Sequence, residues 1–247
     1  MIGSVTVAGL GPGDAAMVTP EVTAALARAT DILGYTPYVA RIAPRPGLAL
    51  HPSDNREELA RAAHALDLAA AGGHAVIVSS GDPGVFAMAS ALFEALEAAP
   101  HHLDVPIAIL PGITAMLAAA AAAGAPLGHD FCAINLSDNL KPFALIEHRL
   151  RMAARGDFAM GFYNPRSASR PHQFARVLDI LREECEPERL ILFARAVSTP
   201  QQAIHTVTLA EATPDMADMR TVVIVGNSAT RRVGDWVYTP RSAGTPA

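Results

Sequence analysis

Short apolar runs that read as strands alternate with longer stretches of helical period along nearly the whole chain, and that order leaves few folds open. The strand-like runs are residues 4–10, 74–79, 106–110, 131–136, 158–163, 190–194, 203–207 and 221–225. The helical pattern falls on 19–29, 55–71, 84–98, 114–123, 142–155 and 172–185. Two strands separated by a helix can pair in parallel with the helix as crossover, so repeated alternation specifies an α/β protein with mostly parallel sheets. Thr19-Pro20-Glu21 supplies an N-cap, a φ-locked first residue and a first-turn acid for the first helix. Loops lengthen after Pro111-Gly112, which puts a junction there between two α/β domains, 1–112 and 113–247.

Composition excludes several function classes. A chain of 247 residues, 51% apolar and 17% charged, is long enough to bury one large core or two modest ones. Cys132 and Cys185 lie far apart without metal-ligand spacing, so no disulfide framework and no metal site are expected, and the cytoplasm is the expected compartment. The first residues lack a basic flank before an apolar region, and the apolar run 115–123 is too short to span a bilayer, so neither a secretory signal nor a membrane segment is expected. A net charge of −5 with no long basic run argues against nucleic acid as a partner. Of the 19 cationic residues only Lys141 is a lysine, and arginine forks suit carboxylates.

Three strand-ending loops carry the chemistry. The first, "VAGLGPGDAAMVTPE" at 7–21, lines a turn with Gly9, Gly11 and Gly13. A dinucleotide fingerprint needs a third glycine at the sixth position and a helix starting at once. Here that position is Asp14, which would repel phosphate, and the helix waits until about Thr19. The second, "SSGDPG" at 79–84, follows a buried strand with a flexible Gly81, an acid at Asp82 and a φ-locked Pro83. The third, "ILPGITAMLAAA" at 109–120, presents Thr114 and Ala115 at a helix start. Bare backbone and small polar groups suit S-adenosylmethionine, whose sulfonium, amino-acid head and adenosine tolerate nearby carboxylates and need no phosphate cradle.

In this order and spacing the three loops resemble those of the tetrapyrrole (corrin/porphyrin) methylases. The stretches "LGYTPYV" at 33–39, "NLSDNLKPF" at 135–143, "GFYNPRSASRPHQ" at 161–173 and "DMRTVVIVGNSATRRVGDWVYTPR" at 218–241 are similar to the branch acting at carbon 17 of precorrin-3B. The resemblance implies a homodimer of two-domain α/β chains with the methyl donor, S-adenosylmethionine, bound between the domains. Carried over residue by residue, it implies donor contacts from Gly11, Pro12, Ser80, Gly81, Asp82, Val85, Thr114 and Ala115, with Tyr163 and Ala196 as further contacts. The segment "ARAVSTPQQ" at 194–202 departs from the glycine-containing segment usual in that branch.

The implied reaction methylates precorrin-3B and contracts its macrocycle, extruding carbon 20 as an acetyl group to give precorrin-4. Methyl transfer from a sulfonium asks for proximity and alignment. Contraction also requires a proton to leave a tertiary hydroxyl, so an acid/base group is expected among Asp82, Asp138, His129 and His172. Asp14, Ser137, Asn164, Arg166 and Arg170 are the expected substrate contacts, the arginines for its carboxylate side chains. Other readings from the residues are a sister corrinoid methylase acting at C(11) or C(20) or on cobalt-factor III, a nicotinamide-dependent oxidoreductase, and a non-catalytic binding module.

Overall fold

The computed structural model describes residues 2–242 and divides into two compact units, Met1–Thr114 and Ala115–Ala247. The first unit runs β1 Ser4–Gly9, α1 Pro20–Arg28, β2 Asp31–Tyr35, α2 Thr36–Val39, β3 Ala49–Ser53, α3 Glu58–Ala70, β4 His74–Ser79, α4 Met88–Ala98 and β5 Ile107–Leu110. Its five strands form one sheet in the order β3-β2-β4-β1-β5, and every ladder in it is parallel. Alternate residues of a strand face opposite ways, so a sheet covered on both faces needs apolar side chains at every position. β4 meets this: Ala75 and Ile77 pack with α3 and α4, while Val76 and Val78 pack with α1 and Val39 of α2.

Chain order across this sheet creates the crevice that matters. The connection leaving β1 runs toward β2 and the one leaving β4 runs toward β5, so from adjacent strands the chain departs in opposite directions. The loops after β1 and β4 therefore cross at the carboxyl edge on their way to helices on opposite faces, at the place where open α/β sheets bind ligands.

The second unit runs α5 Ala115–Ala123, β6 Gly124–Ala125, β7 Phe131–Asn135, α6 Phe143–Arg155, β8 Ala159–Tyr163, α7 Gln173–Glu184, β9 Leu190–Arg195, β10 Ala203–Thr208, β11 Thr221–Val225, β12 Arg231–Val233 and β13 Trp236–Tyr238. Its main sheet has the order β10-β9-β11-β8-β7. Only β7 and β8 pair in parallel there, because β11 returns antiparallel between β8 and β9, and β10 runs back along β9. One face carries α6 and α7 over Phe162, Phe193 and Val223. The other carries the alanine-rich α5 over Leu192, Ala194, Val222 and Ile224. Small side chains let α5 lie close to the sheet, and the Met116 side chain fills the space that Gly161 of β8 leaves open. No described helix is long and apolar enough to cross a membrane.

Arginines knit α6 to α7. Arg151 and Arg155 hold Glu184 at 2.6 and 2.8 Å, and these hydrogen bonds, Arg155's first, pull its carboxyl down to about 2. A depressed acid stabilises the fold above its unfolded value, about 4.3, and the contribution disappears as pH falls through the folded value. Thermal melts of Glu184→Gln should thus show a lower midpoint than the parent near neutral pH, with the gap closing between about pH 4.3 and 2. A gap that persists at pH 2 would mean that the charge of Glu184 is not what matters.

Candidate active site

In the first unit the three loops meet as crossing backbones. Gly11 and Gly81 exchange both hydrogen bonds, at 3.2 and 2.9 Å, and both occupy left-handed backbone, φ 67° and 62°. A Cβ on Gly9 would stand 2.7 Å from Gly81 O and 2.7 Å from Gly112 N, and one on Gly112 would run into the same Gly81 carbonyl. Three strand ends thus touch through glycine alone, leaving a floor of bare peptide. Asp82 fastens this floor: one carboxylate oxygen accepts the Gly84 N–H at 2.8 Å and the other the Gly112 N–H at 3.1 Å. With both oxygens accepting from backbone N–H groups, Asp82 holds the loops after β4 and β5 together. Asp14 is exposed and caps the turn after β1 through Ala16 N–H at 2.8 Å.

Around that floor, Pro12, Ser80 and Val85 are half-buried and Thr114 is buried. Phe86 follows Val85 with φ 54°, and its ring is half exposed. A bulky residue in left-handed backbone is unusual and is tolerated where surrounding structure holds it. This irregular turn delays α4 to Met88, later than the helical pattern from 84 implies.

In the second unit the carboxyl ends of β7 and β8 gather a polar group. Asn135 Oδ1 accepts from Ser137 N–H at 3.0 Å and from the Asn164 amide at 3.1 Å. Arg170, expected to grip substrate, is buried and donates to the Asn164 carbonyl at 3.0 Å, so its fork shapes the loop that presents Asn164, itself at φ 53°. Arg166 is half-buried, and Asp215 near it is held below the usual carboxylate range first by the Thr213 hydroxyl and its own backbone N–H, with Arg166 adding a smaller pull. The Gln173 amide donates to Asp138, and its own oxygen is buried without a partner among the described residues. His172 stands exposed just before α7, beside that pair.

Tyr163 ends β8, and its hydroxyl accepts the Met116 N–H at 3.1 Å in the first turn of α5, next to Ala115. His129 does not join this group. It precedes β7, at the amino edge beside Asp130, and a five-residue strand separates it from Asn135 by roughly 15 Å. Both cysteines are free and half-buried, and burial raises their thiols above the usual range, which disfavours thiolate chemistry. The described residues contain no cluster of three or more metal-ligating side chains.

Ala196 sits after β9 with φ 49° and is held there by its N–H to Arg220 O at 2.8 Å and by the Thr199 hydroxyl on its carbonyl. An alanine in left-handed backbone costs about 1–2 kcal/mol, which glycine does not incur. Ala196→Gly relieves that strain but adds about 0.4–1 kcal/mol of unfolded-chain entropy and loses about 0.8 kcal/mol of buried methyl, so its thermal midpoint should stay within about 3 °C of the parent's. A midpoint further below the parent's would show that the methyl packing outweighs the strain.

Relatives share this arrangement of chain. A sequence model of the Tetrapyrrole (Corrin/Porphyrin) Methylases matches residues 4–213. The chain is 49% identical to a precorrin-3B C(17)-methyltransferase of Sinorhizobium sp, covering 98% of this chain and 97% of that protein. It is 36% identical to a probable cobalt-factor III C(17)-methyltransferase of Salmonella typhimurium, covering 96% and 98%. A crystal structure of the methyltransferase CobJ matches with a TM-score of 0.95 and 79% identity, covering 96% of this chain and 100% of that one.

Proposed function

The chain belongs to the tetrapyrrole (corrin/porphyrin) methylases, and on that premise we propose that it methylates precorrin-3B at carbon 17 with S-adenosylmethionine and contracts the ring, in cobalamin biosynthesis. One observation carries the substrate: identity to the precorrin-3B enzyme reaches 49% along both chains, against 36% to the cobalt-factor III enzyme. We further infer a homodimer working in the cytoplasm, which light scattering on the purified protein and localisation of a tagged chain check.

The first unit suits the donor. Its glycine floor is bare peptide, packed so closely that no Cβ fits between the crossing loops, and Asp14 and Asp82 stand where a cation is welcome and a phosphate is not. When bound, S-adenosylmethionine supplies an electrophilic methyl group on sulfur. Gly11, Gly81 and Gly112 present backbone to it, and Ser80, Val85 and Thr114 shape its surroundings. The protein's work in this step is alignment, since a substitution in line needs proximity more than a protein nucleophile.

Contraction asks for more. A proton must leave the hydroxyl at carbon 20 as a carbon–carbon bond migrates, and Asp138 and His172 at the carboxyl edge of the second unit are the groups available to take it. Asn164, Ser137 and Arg166 there supply donors for a substrate rich in carboxylates. Purified protein incubated with precorrin-3B and S-adenosylmethionine should give a product of the mass and absorbance of precorrin-4. Methylation of cobalt-factor III with precorrin-3B left unchanged would overturn the substrate assignment.

A further inference from the structure

The stretch "LGYTPYV" marks the chain as a sequence, yet none of its side chains belongs to the loops just described. The structure gives it a task. α2 crosses the carboxyl edge of the first sheet, and Tyr38 within it and Arg41 just past its end reach two different loops. The Tyr38 hydroxyl faces the Ser80 side chain in the loop after β4, near enough for the two polar groups to interact. Arg41, whose N–H bonds back to Tyr38 O at 3.1 Å, aims one guanidinium nitrogen at the loop after β1, donating to Leu10 O and to Gly13 O at 3.0 Å each. Those two loops carry the glycines whose backbones cross at Gly11 and Gly81.

The bracket is itself anchored. The Thr36 hydroxyl at the start of α2 donates to Ser53 O at the end of β3, at 3.2 Å. The buried Arg61 of α3 holds the same corner through Ser53 Oγ at 2.8 Å and Asp54 O at 2.6 Å. Tyr38 stacks edge-on against Tyr35, ring centres 5.4 Å apart, and burial pushes its hydroxyl above the usual phenol range, so it remains a neutral hydrogen-bonding group.

We propose that Tyr38 and Arg41 are positioning residues for the methyl donor: from one helical turn they set the separation of the loops after β1 and β4, and the donor site depends on that separation. This rests on the reading of those loops as the donor site.

The test is calorimetric titration of the full chain with S-adenosylhomocysteine, paired with donor KM and kcat on precorrin-3B. Tyr38→Phe keeps the ring and removes the hydroxyl that faces Ser80, with an expected loss of affinity of about 3- to 10-fold. Arg41→Met removes two charge-assisted bonds, with an expected loss of about 10- to 100-fold. Arg41→Lys should recover part of that loss, because an ammonium can still donate to both carbonyls. The effects should fall on donor KM, with kcat at saturating donor within about 3-fold of the parent, because a misplaced loop that the donor pulls back affects binding most.

Arg45→Met is the control, since that guanidinium also binds carbonyls, those of Leu26, Ala27 and Ala29 at the end of α1, away from the donor loops. It should lower the thermal midpoint and leave donor affinity unchanged. If the parent fails to bind S-adenosylhomocysteine, the donor reading and this inference fall together. If the parent binds and the Tyr38 and Arg41 variants bind equally well, or Arg45→Met weakens binding as much as they do, only the bracket is overturned.

Discussion

Gly112→Ala should weaken S-adenosylhomocysteine binding on the order of 100-fold, about 2.8 kcal/mol. The added methyl would run into the Gly81 carbonyl and stand 2.9 Å from both Cα and C of Gly9. The three nearest atoms in its way are backbone, so no side chain can swing aside, and relief requires the loop after β5 to draw back from Gly9 and Gly81. Drawing it back pulls the Gly112 N–H away from Asp82, the bond that fastens the floor. Gly47→Ala is the matched comparison: it has φ 78° and open space around it, so it costs backbone strain of about 1–2 kcal/mol but leaves the donor floor alone. Circular dichroism and calorimetry on both variants separate lost folding from lost binding. Parent-like affinity in Gly112→Ala would place the donor elsewhere.

How much of this was legible before the structure depends on where each signal lives along the chain. The three loops announce themselves because glycine, proline and aspartate at strand ends are local signals, and the Thr19-Pro20-Glu21 start of α1 is another: Thr19 caps Val22 N–H as its position implies. β3 was missed for a local reason too. "ALHPS" is partly polar, contains Pro52 and forms the edge of its sheet, where proline is tolerated and hydrophobic alternation is weak. The antiparallel return of β11 is a different case. "TVVIV" reads as a buried strand, but its direction depends on which neighbours it meets, and apolar composition is silent on direction. The roles of Asp82, Tyr38 and Arg170 are equally non-local. Asp82 accepts from a residue 30 positions later, Tyr38 meets Ser80, and Arg170 turns inward to Asn164 O. A sequence displays these side chains but not which backbone they will hold.

The second large effect concerns the proton that contraction releases. Four groups were candidates to take it, and the structure treats them unequally. Asp82 has both oxygens on backbone N–H groups, and His129 lies before β7 at the opposite edge from Asn135 and Tyr163. Asp138, fixed by the Gln173 amide, and His172, exposed beside it, stand in the loops that leave the carboxyl ends of β7 and β8. Removing a general acid or base typically costs about 10²- to 10⁴-fold. Asp138→Asn or His172→Ala should therefore bind donor normally and slow contraction by that amount, with an uncontracted intermediate building up in mass and absorbance. His129→Ala should behave as the parent. Asp82→Asn should instead raise donor KM, since an amide NH₂ would face one of the two N–H groups that the carboxylate now accepts. If Asp138→Asn and His172→Ala both give contracted product at the parent rate, the proton goes to a group outside this pair, such as a substrate carboxylate, and the second unit's loops serve to hold the macrocycle in line.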